Sequence, residues 1–279
     1  MRELDCGEIT RCVREMCLAA CRTPDPNLPG LLEAAIEKES SPIAGEILGQ
    51  LLDNIQVAGG TGLPLCQDTG MAVFFAEVGQ DLHITGGDFE DALQEGVRQG
   101  YIEGCFRASV LTPLTRINTG DNTPAIIHTR IVPGDKLTLR LAPKGFGSEN
   151  MSKVYMLTPS QGEEGVVTHI VETVKQAGGS SCPPVVLGVG IGSDFEGCAL
   201  LAKQALLRPL GQPSPDPVLA ALENRTLAAV NRLGIGPMGL GGNTTALACH
   251  ILAAPTHIAG LPLAVNIQCH CVRHQSRVL

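Results

Sequence analysis

The sequence has no tryptophan and only two tyrosines, and aromatic residues make up 3% of its 279 residues. Proteins that bind single-stranded nucleic acid use aromatic side chains on which bases stack, so the composition argues against that function. An excess of basic residues is missing too, since the formal net charge is −8. Nucleic acids and anionic membranes attract positive surfaces, so we expect neither as a partner.

Long apolar runs are also missing. No uninterrupted apolar stretch reaches the roughly 18 residues that indicate a membrane-spanning helix. The first residues, 1–5, lack the apolar segment of a signal peptide. We therefore expect a cytoplasmic protein without a membrane association. Hydrophobic residues still make up 44% of the chain, which is enough for a globular protein with a sizeable core.

Hydrophobic periodicity and turn residues predict a mixed α/β fold of the α+β type, with helices packed on mixed sheets. We expect one domain over residues 1–279. Its N-terminal part, about residues 1–58, is predicted to be helical, with Gly59 and Gly60 ending the last of its helices. The predicted helices are 8–21, 29–38, 41–57, 88–100, 162–177, 195–206 and 217–233.

The predicted strands follow from β-rich segments bounded by Gly, Pro and Asp. The strands at 125–131 and 136–141 are predicted to pair through the turn between them, while 244–253 fits a helix or a strand. The proline-rich connector 208–217 is interpreted as a surface loop. The remaining predicted strands are 71–78, 185–192 and 261–267.

Eleven cysteines stand out against this composition. Thiolates brought together by folding can hold an iron–sulfur cluster and leave one iron without a protein ligand. Such an iron can bind a substrate oxygen as a Lewis acid. The other interpretation is a set of unconnected core cysteines, and spacing alone leaves both open. The three cysteines in distinctive loops are Cys66 in Leu63–Gly70, Cys182 in Gly179–Pro184 and Cys269 in Asn266–Cys271.

The N-terminal cysteines have a simpler interpretation. Cys12, Cys17 and Cys21 lie along one side of the predicted helix 8–21. They could be metal ligands. We favour the interpretation that they are small apolar side chains that fill one face of the helix.

The glycine-rich segment 188–192 resembles part of a dinucleotide-binding loop. The third glycine of that pattern is missing, because Ser193 and Phe195 occupy the two positions where it could stand. A tight turn from a strand to a helix, or a helix N-terminus facing an anion, fits better. A clear acid for binding a ribose is also missing, which argues against an NAD-binding oxidoreductase.

Four further places carry polar chemistry. The segment Lys144–Asn150 is either a carboxylate-binding nest or a surface turn. Arg107 stands in an uncharged stretch and either pairs with a buried acid or clamps a substrate carboxylate. Asp68 either moves a proton near the site or caps the turn that follows it. His257, twelve residues before Cys269, is either structural or a substrate contact.

Together, five segments resemble the iron–sulfur hydro-lyases of the class I fumarase and L-tartrate dehydratase group. The likeness is to the alpha subunit, or to the N-terminal half of the single-chain form, and covers nearly the whole chain. One departure is Ser193, where relatives often have glycine. The five segments are Pro64–Gly70, Lys144–Asn150, Ser181–Pro184 with Gly190–Ser193, Met238–Gly242 and Ala264–His270.

The resemblance implies a [4Fe–4S] cluster whose fourth iron binds a small dicarboxylate substrate. It also implies cluster-binding loops that converge at one edge of the sheets, and catalytic roles for Asp68 and His257. The implied metal ligands are Cys66, Cys182 and Cys269, and the implied substrate contacts are Gln67, Asp68, Arg107, Gly145, Gly147 and His257.

The resemblance further implies a heteromer, with a beta subunit that supplies the rest of the site and with two alpha chains. The chain ends ten residues after Cys269, and a site closed by a second polypeptide would explain this. We expect the chain alone to be nearly inactive.

The expected activity is the reversible hydration of fumarate to (S)-malate, a step of the tricarboxylic acid cycle. The closest alternative is the dehydration of L-tartrate to oxaloacetate. A third interpretation is a non-catalytic iron–sulfur sensor or scaffold.

Overall fold

The computed structural model describes residues 2–279, which divide into two compact units. Unit 1 comprises residues 2–24, 57–146 and 273–279, and unit 2 comprises residues 25–56 and 147–272. Helices account for 42% of the chain and strands for 26%. Since both units contain helices and sheets, the predicted mixed α/β fold is confirmed. That the chain acts as one domain stays a prediction.

Residues 2–279 contain eight α-helices and ten strands. The helices are α1 (Cys6–Arg22), α2 (Leu28–Glu37), α3 (Pro42–Thr61), α4 (Phe89–Glu103), α5 (Phe146–Glu149), α6 (Gly162–Ala177), α7 (Phe195–Ala205) and α8 (Pro217–Asn231). The strands are β1 (Arg2–Asp5), β2 (Met71–Gly79), β3 (Leu82–Thr85), β4 (Ile126–Val132), β5 (Leu137–Lys144), β6 (Lys153–Leu157), β7 (Val185–Ser193), β8 (Ala246–Thr256), β9 (Leu261–Gln268) and β10 (Gln275–Val278).

Unit 1 is built on a four-stranded sheet with the order β10-β5-β2-β4. The predicted pairing of the strands near 125–131 and 136–141 is wrong, because β2 lies between them, parallel to β4 and antiparallel to β5. β2 is buried on both faces, which suits a central strand, whereas β4 is largely exposed and forms an edge. The connection from β4 to β5 passes the end of β2, where the Gly79 N–H donates to the Lys136 carbonyl.

Helices α1 and α4 pack beside this sheet in one hydrophobic core. Cys12, Cys17 and Cys21 of α1 are buried in that core, as the helix-face interpretation predicted. Burial raises the pKa of the Cys17 thiol well above its ordinary value and that of Cys21 to about 11. Metal ligation requires the thiolate, so these buried thiols are poor ligands. Asp88 caps α4 as predicted.

The end of α3 differs from the prediction. Gly59 and Gly60 do not stop the helix, which continues to Thr61. Gly62 follows with a φ of +73°, and its N–H donates to the Ala58 carbonyl at 2.9 Å. A glycine in the left-handed region just past the last turn is a common way for a helix to end.

Unit 2 is built on a sheet with the order β6-β9-β7-β8, in which β7 is parallel to β8 and antiparallel to β9. Segment 244–253, which fitted a helix or a strand, contributes β8. Leu187 and Val189 of β7 face the core that contains residues of α6 and α8. Gly188 and Gly190 face α7, where a Cβ would meet the carbonyls of Ala202 and Cys198. Because helices cover both faces, β7 is a continuous apolar run.

The turn after β7 confirms the strand-to-helix interpretation of the glycine-rich segment. The Asp194 carboxylate accepts a hydrogen bond from the Gly197 N–H and caps α7. Ser193 has a φ of +58°, in the left-handed region that favours glycine. This backbone angle gives a physical reason for glycine at that position, and serine occupies it here.

The prediction missed the shortest elements. Strands β1, β3 and β10 have four residues each and β6 has five, which is too few to show a hydrophobic period. The connector 208–217 holds no helix or strand before Pro217, as predicted. Within residues 2–279, no helix has the length and apolar character needed to cross a membrane.

Candidate functional site

The loop that carries Cys66 joins α3 to β2 in unit 1 and is held by buried polar side chains. The Tyr101 hydroxyl lies 3.0 Å from the carbonyls of both Thr69 and Gly70. The Asn122 Nδ2 also donates to the Gly70 carbonyl, at 3.0 Å. These bonds fix the end of the loop while Cys66 stays half-buried.

Asp68 lies at the centre of this loop, and both of its carboxylate oxygens accept backbone hydrogen bonds. Oδ1 accepts from the Gly70 N–H and Oδ2 from the Phe146 N–H, both at 3.0 Å. A Cβ at Gly145 would lie 3.0 Å from Oδ2, so glycine allows this close approach. The Arg273 guanidinium donates to the Asp68 carbonyl. The carboxylate therefore has a fixed orientation, and the predicted turn-capping role is confirmed.

Arg107 is tied to the same loop through its backbone. The Thr69 hydroxyl donates to the Arg107 carbonyl at 3.2 Å. The side chains of Arg107 and Gln67 are exposed, and Asp68 is half-buried. Unit 1 thus brings together five of the predicted site residues, which are Cys66, Gln67, Asp68, Arg107 and Gly145.

Cys182 and Cys269 meet at one end of the sheet of unit 2. Cys182 lies just before β7 and Cys269 just after β9, and these strands are antiparallel neighbours with Val186 opposite Gln268. The His270 Nδ1 donates to the Cys182 carbonyl at 3.1 Å. The two cysteine loops are therefore joined directly.

The backbone at Cys182 is unusual. This residue has φ +53° and ψ +62°, a left-handed conformation that costs of order 1 kcal/mol for a residue with a Cβ. A second glycine-rich loop supports it, because the Met238 N–H donates to the Pro183 carbonyl at 2.8 Å. Gly239 packs so closely that a Cβ there would lie 2.6 Å from the Gly179 Cα. Segment Met238–Gly242 thereby acquires a structural role beside Cys182.

The Cys269 sulfur has an amide donor beside it. The Gln268 Nε2 lies 3.6 Å from the Cys269 Sγ and 3.2 Å from the Cys271 carbonyl. Gln268 itself is buried. N–H groups directed at ligand sulfurs are typical of iron–sulfur sites, so this contact fits a ligand role for Cys269.

A polar cluster joins α5 to the strand that leads to Cys269. The Glu149 Oε2 accepts from the Asn266 Nδ2 at 2.8 Å, and the other carboxylate oxygen pairs with Lys203 of α7. The Ser152 hydroxyl lies 3.0 Å from the Asn266 Nδ2 and from the Ile267 N–H. These contacts give Glu149 and Asn266, which belong to two of the five segments, a direct link.

Gly147, the predicted contact just before this cluster, lies against the Cys182 loop. A Cβ there would lie 3.7 Å from the Ser180 carbonyl. Unit 2 therefore brings together Gly147, Cys182 and Cys269.

His257 is placed elsewhere in unit 2. It lies in the connection from β8 to β9, next to the start of β9 at Leu261, whereas Cys269 follows the end of the same strand. At about 3.3 Å per residue, the seven steps of β9 separate the two ends by roughly 23 Å. His257 is exposed, and its Nδ1 accepts from the Ala259 N–H at 3.2 Å. The structure therefore does not bring His257 to the Cys182 and Cys269 of its own chain.

Accessibility separates the predicted ligands from most of the other cysteines. Cys66 and Cys269 are half-buried and Cys182 is exposed, and Cys105 is the one further cysteine in residues 2–279 that is not buried. Accessible thiols on tight loops fit an iron–sulfur cluster. The buried ones are Cys6, Cys12, Cys17, Cys21, Cys198, Cys249 and Cys271.

No group of three or more His, Cys, Asp or Glu side chains in the described chain is arranged to hold a metal ion. A cluster makes a different demand, because each cysteine binds its own iron atom and the sulfurs stay further apart than the ligands of one ion. Cysteine thiolates are the ligand type that iron–sulfur clusters take, so the chemistry of the three loop cysteines fits a cluster.

Sequence patterns did not reveal the residues that hold these loops. Tyr101, Asn122 and Arg273 are remote in sequence from Cys66, and Lys203 is remote from Glu149. Each makes its contact only through the fold. The sequence signal that could have found these residues is that they are polar, because a polar side chain that becomes buried needs a hydrogen-bond partner.

Comparisons with known proteins identify the family of this chain. A family model described as fumarate hydratase (Fumerase) matches residues 10–278. The putative L(+)-tartrate dehydratase subunit alpha of Methanocaldococcus jannaschii is 40% identical over 257 residues, which cover 90% of each chain. The L(+)-tartrate dehydratase subunit alpha of Escherichia coli O157:H7 is 33% identical over 256 residues, covering 90% of this chain and 84% of the relative.

The family model and the alignments to both relatives each cover most of the chain. The five segments that hold the cysteine loops all lie within the matched residues. The chain therefore belongs to the fumarate hydratase (Fumerase) family of hydro-lyases.

Proposed function

We propose that the chain is the alpha subunit of a [4Fe–4S] hydro-lyase that interconverts a 2-hydroxy dicarboxylate and its dehydrated product. The observation that carries this proposal is that Cys66, Cys182 and Cys269 are accessible and lie on supported loops, in a chain of this family. These three thiolates would hold the cluster. When bound, the cluster supplies a Lewis-acidic iron that stabilises hydroxide as it leaves.

The substrate would be oriented by the residues around Cys66. The exposed Arg107 guanidinium can bind a substrate carboxylate through two parallel hydrogen bonds. Gln67 offers an exposed amide beside it. Gly145 and Gly147 are proposed as further substrate contacts. Holding the substrate in one orientation lowers the entropic part of the barrier.

Asp68 is the chain's candidate for proton transfer. Two backbone N–H groups fix its carboxylate, so its direction is set before a substrate arrives. A carboxylate held in this way can accept or return a proton at one oxygen without a large rearrangement. We propose this role for Asp68, together with contact to the substrate.

The remainder of the site is proposed to come from a beta subunit. Both relatives compared above are named as alpha subunits. A dicarboxylate has two anionic ends, and the proposed site residues of this chain offer one cation, Arg107. A second subunit would supply the further basic groups, in a heteromer with two alpha chains.

The predicted role of His257 requires such a heteromer. Because β9 separates His257 from Cys269 of the same chain, a substrate contact by His257 would be made at the site of another alpha chain. We therefore propose that His257 acts across an interface between the two alpha chains.

Two substrates are candidates. Hydration of fumarate to (S)-malate is the predicted reaction and agrees with the description of the family model. Dehydration of L-tartrate is favoured by the names of the relatives at 40% and 33% identity. The substrates differ by one hydroxyl group, so a single polar contact would separate them.

The test is anaerobic reconstitution of the chain with iron and sulfide, addition of its beta subunit, and parallel assays with malate and L-tartrate. Fumarate formed from malate supports the hydratase, and efficient formation of oxaloacetate from tartrate supports the dehydratase. A bound cluster without either activity, in a heteromer whose assembly is verified, would contradict the hydro-lyase proposal and favour a sensor or scaffold.

A further inference from the structure

A cleft of about 150 Å³ lies in unit 2 beside β8. β8 is an edge strand, because it pairs with β7 on one side only. The cleft opens between this strand, α2, α8 and the connector that precedes α8. Its walls include Leu31, Pro213, Leu227, Leu247, Cys249 and His250. The other neighbour of β7 is β9, so β7 separates β8 from the strand that leads to Cys269.

Side chains close the free edge of β8 on both sides of the cleft. At Ile251, the N–H donates to the Glu223 Oε1 at 2.7 Å and the carbonyl accepts from the Arg208 Nη2 at 2.8 Å. On the other side of the cleft, the Asn231 amide accepts from the Ala246 N–H at 2.8 Å and donates to its carbonyl at 3.2 Å. The free edge is therefore already paired at Ala246 and at Ile251.

Between these two positions, the backbone of Cys249 remains available. In a strand the N–H and C=O groups of alternate residues point to the same side, so those of Cys249 point as those of Ile251 do, to the free edge. In the part of the chain that the structure describes, no side chain or loop hydrogen-bonds to them. The cleft thus presents one donor and one acceptor from the backbone.

His250 adds an unsatisfied acceptor to the same cleft. It is 3% exposed, and its Nδ1 has no hydrogen-bond partner within residues 2–279. Burial lowers the pKa of the ring, so it is neutral, and in the tautomer protonated at Nε2 the Nδ1 carries no hydrogen. Nδ1 is then a lone-pair acceptor, and a buried acceptor without a donor indicates a missing partner.

The charges at the cleft cancel. Glu223 pairs with Arg208, and its second oxygen accepts from the Ser214 N–H at 2.9 Å. Neither charged group is left to bind an ion, and the surrounding walls are mostly apolar. A neutral ligand with an apolar body therefore fits the cleft better than an anion or a cation.

We propose that this cleft binds a small neutral aliphatic carboxamide. The amide NH₂ group donates to the Cys249 carbonyl and to the His250 Nδ1, and the amide oxygen accepts from the Cys249 N–H. The aliphatic part contacts Leu31 and Leu227. The paired backbone groups of Ala246 and Ile251 flank Cys249, so an extended peptide strand cannot pair with this part of the edge, and the ligand is a small molecule. This site is independent of the proposed hydro-lyase chemistry.

The experiment is a titration of the full-length chain with isobutyramide, followed through backbone amide resonances by NMR. We expect a saturable shift at Cys249 and His250, with at least about tenfold weaker binding of isobutyrate, which is charged, and of 3-methyl-2-butanone, which has no donor. Equal responses to all three compounds, or no saturable response, would overturn the proposal.

Three variants test whether the compound binds in this cleft. Leu227→Phe fills the cleft and should abolish the response, whereas Val218→Phe changes an exposed residue of the same helix and should keep it. His250→Phe removes the acceptor and should weaken isobutyramide binding by about tenfold, which covers the case in which Leu227→Phe does not fold. A saturable response that is unchanged in folded Leu227→Phe or His250→Phe would place the binding elsewhere and overturn the site.

Discussion

Asn266 donates a hydrogen bond to Glu149 at 2.8 Å and so joins the strand before Cys269 to the helix that carries Gly147. The Glu149 carboxylate also pairs with Lys203. One side chain therefore links a strand, a short helix and α7 next to the proposed cluster. The position of Gly147 depends on this link, because α5 has only four residues and little stability of its own.

The Glu149→Ala substitution should lower the free energy of unfolding by about 2 kcal/mol, since the Asn266 amide and the Lys203 ammonium both lose their acceptor. Urea denaturation of the chain measures this change. The matched control is Glu163→Ala, which removes an exposed ion pair with Arg225 and should cost less than about 1 kcal/mol. Similar losses in the two variants would contradict a special role for Glu149.

Gly239→Ala tests the support of the Cys182 loop. Gly239 and Gly241 have similar φ values, +78° and +86°, so alanine at either costs about 1 kcal/mol of backbone strain. Only at Gly239 does the added Cβ meet a backbone atom, the Gly179 Cα at 2.6 Å, while none lies within 4 Å at Gly241. We expect faster removal of iron by a chelator from reconstituted Gly239→Ala than from Gly241→Ala. Equal rates of iron removal in the two variants would contradict a supporting role for the contact between Gly239 and Gly179.

His257 can be tested by mixing two inactive alpha chains. Cys66→Ser lacks a cluster ligand, and His257→Asn lacks the proposed contact. If His257 acts on the site of a second alpha chain, mixed heteromers with the beta subunit contain one complete site. Random pairing of two alpha chains then restores about a quarter of the wild-type activity. Activity no higher than that of each variant alone would mean that His257 does not act across the interface.

The sequence predicted most long helices and the core strands, because their hydrophobic patterns are local. Strand neighbours are not local, which is why β2, buried on both faces, was not expected between β4 and β5. The N-terminal cysteines were assigned correctly to a helix face from the four-residue steps of α1. The end of α3 was misplaced, because glycines within a helix are tolerated when a later one, Gly62, takes the left-handed conformation.

The sequence predicted those parts of the candidate site that lie close together in a sequence motif. Residues near Cys66 in sequence, such as Asp68, also share its loop. His257 shows the limit, because twelve residues along the sequence correspond to the full length of a strand and lead to the other end of the sheet. Anchors such as Asn122 and Arg273 come from remote segments, and no spacing rule connects them to the loop that they hold.

His250 makes stability depend on pH. Burial, with a further contribution from Arg208, lowers the pKa of this imidazole to about 4, while Glu223 and Asp25 act in the opposite direction. The unfolded chain has a histidine pKa near 6.5, so the stabilisation is fully present above about pH 6.5 and lost as the pH falls toward 4. The expected loss is about 3 kcal/mol. Urea denaturation at several pH values should show a smaller decrease in His250→Gln than in the wild type, and equal decreases would contradict the assignment.

The most direct test of the proposed cluster site is the iron and acid-labile sulfide content of each alpha chain after anaerobic reconstitution. The wild type and Cys105→Ser, which changes an accessible cysteine outside the ligand set, should both contain the amounts of one [4Fe–4S] cluster. Cys66→Ser, Cys182→Ser and Cys269→Ser should each lose the intact cluster while remaining folded by circular dichroism. Full cluster content in any of these three variants, or equal loss in Cys105→Ser, would contradict the ligand assignment.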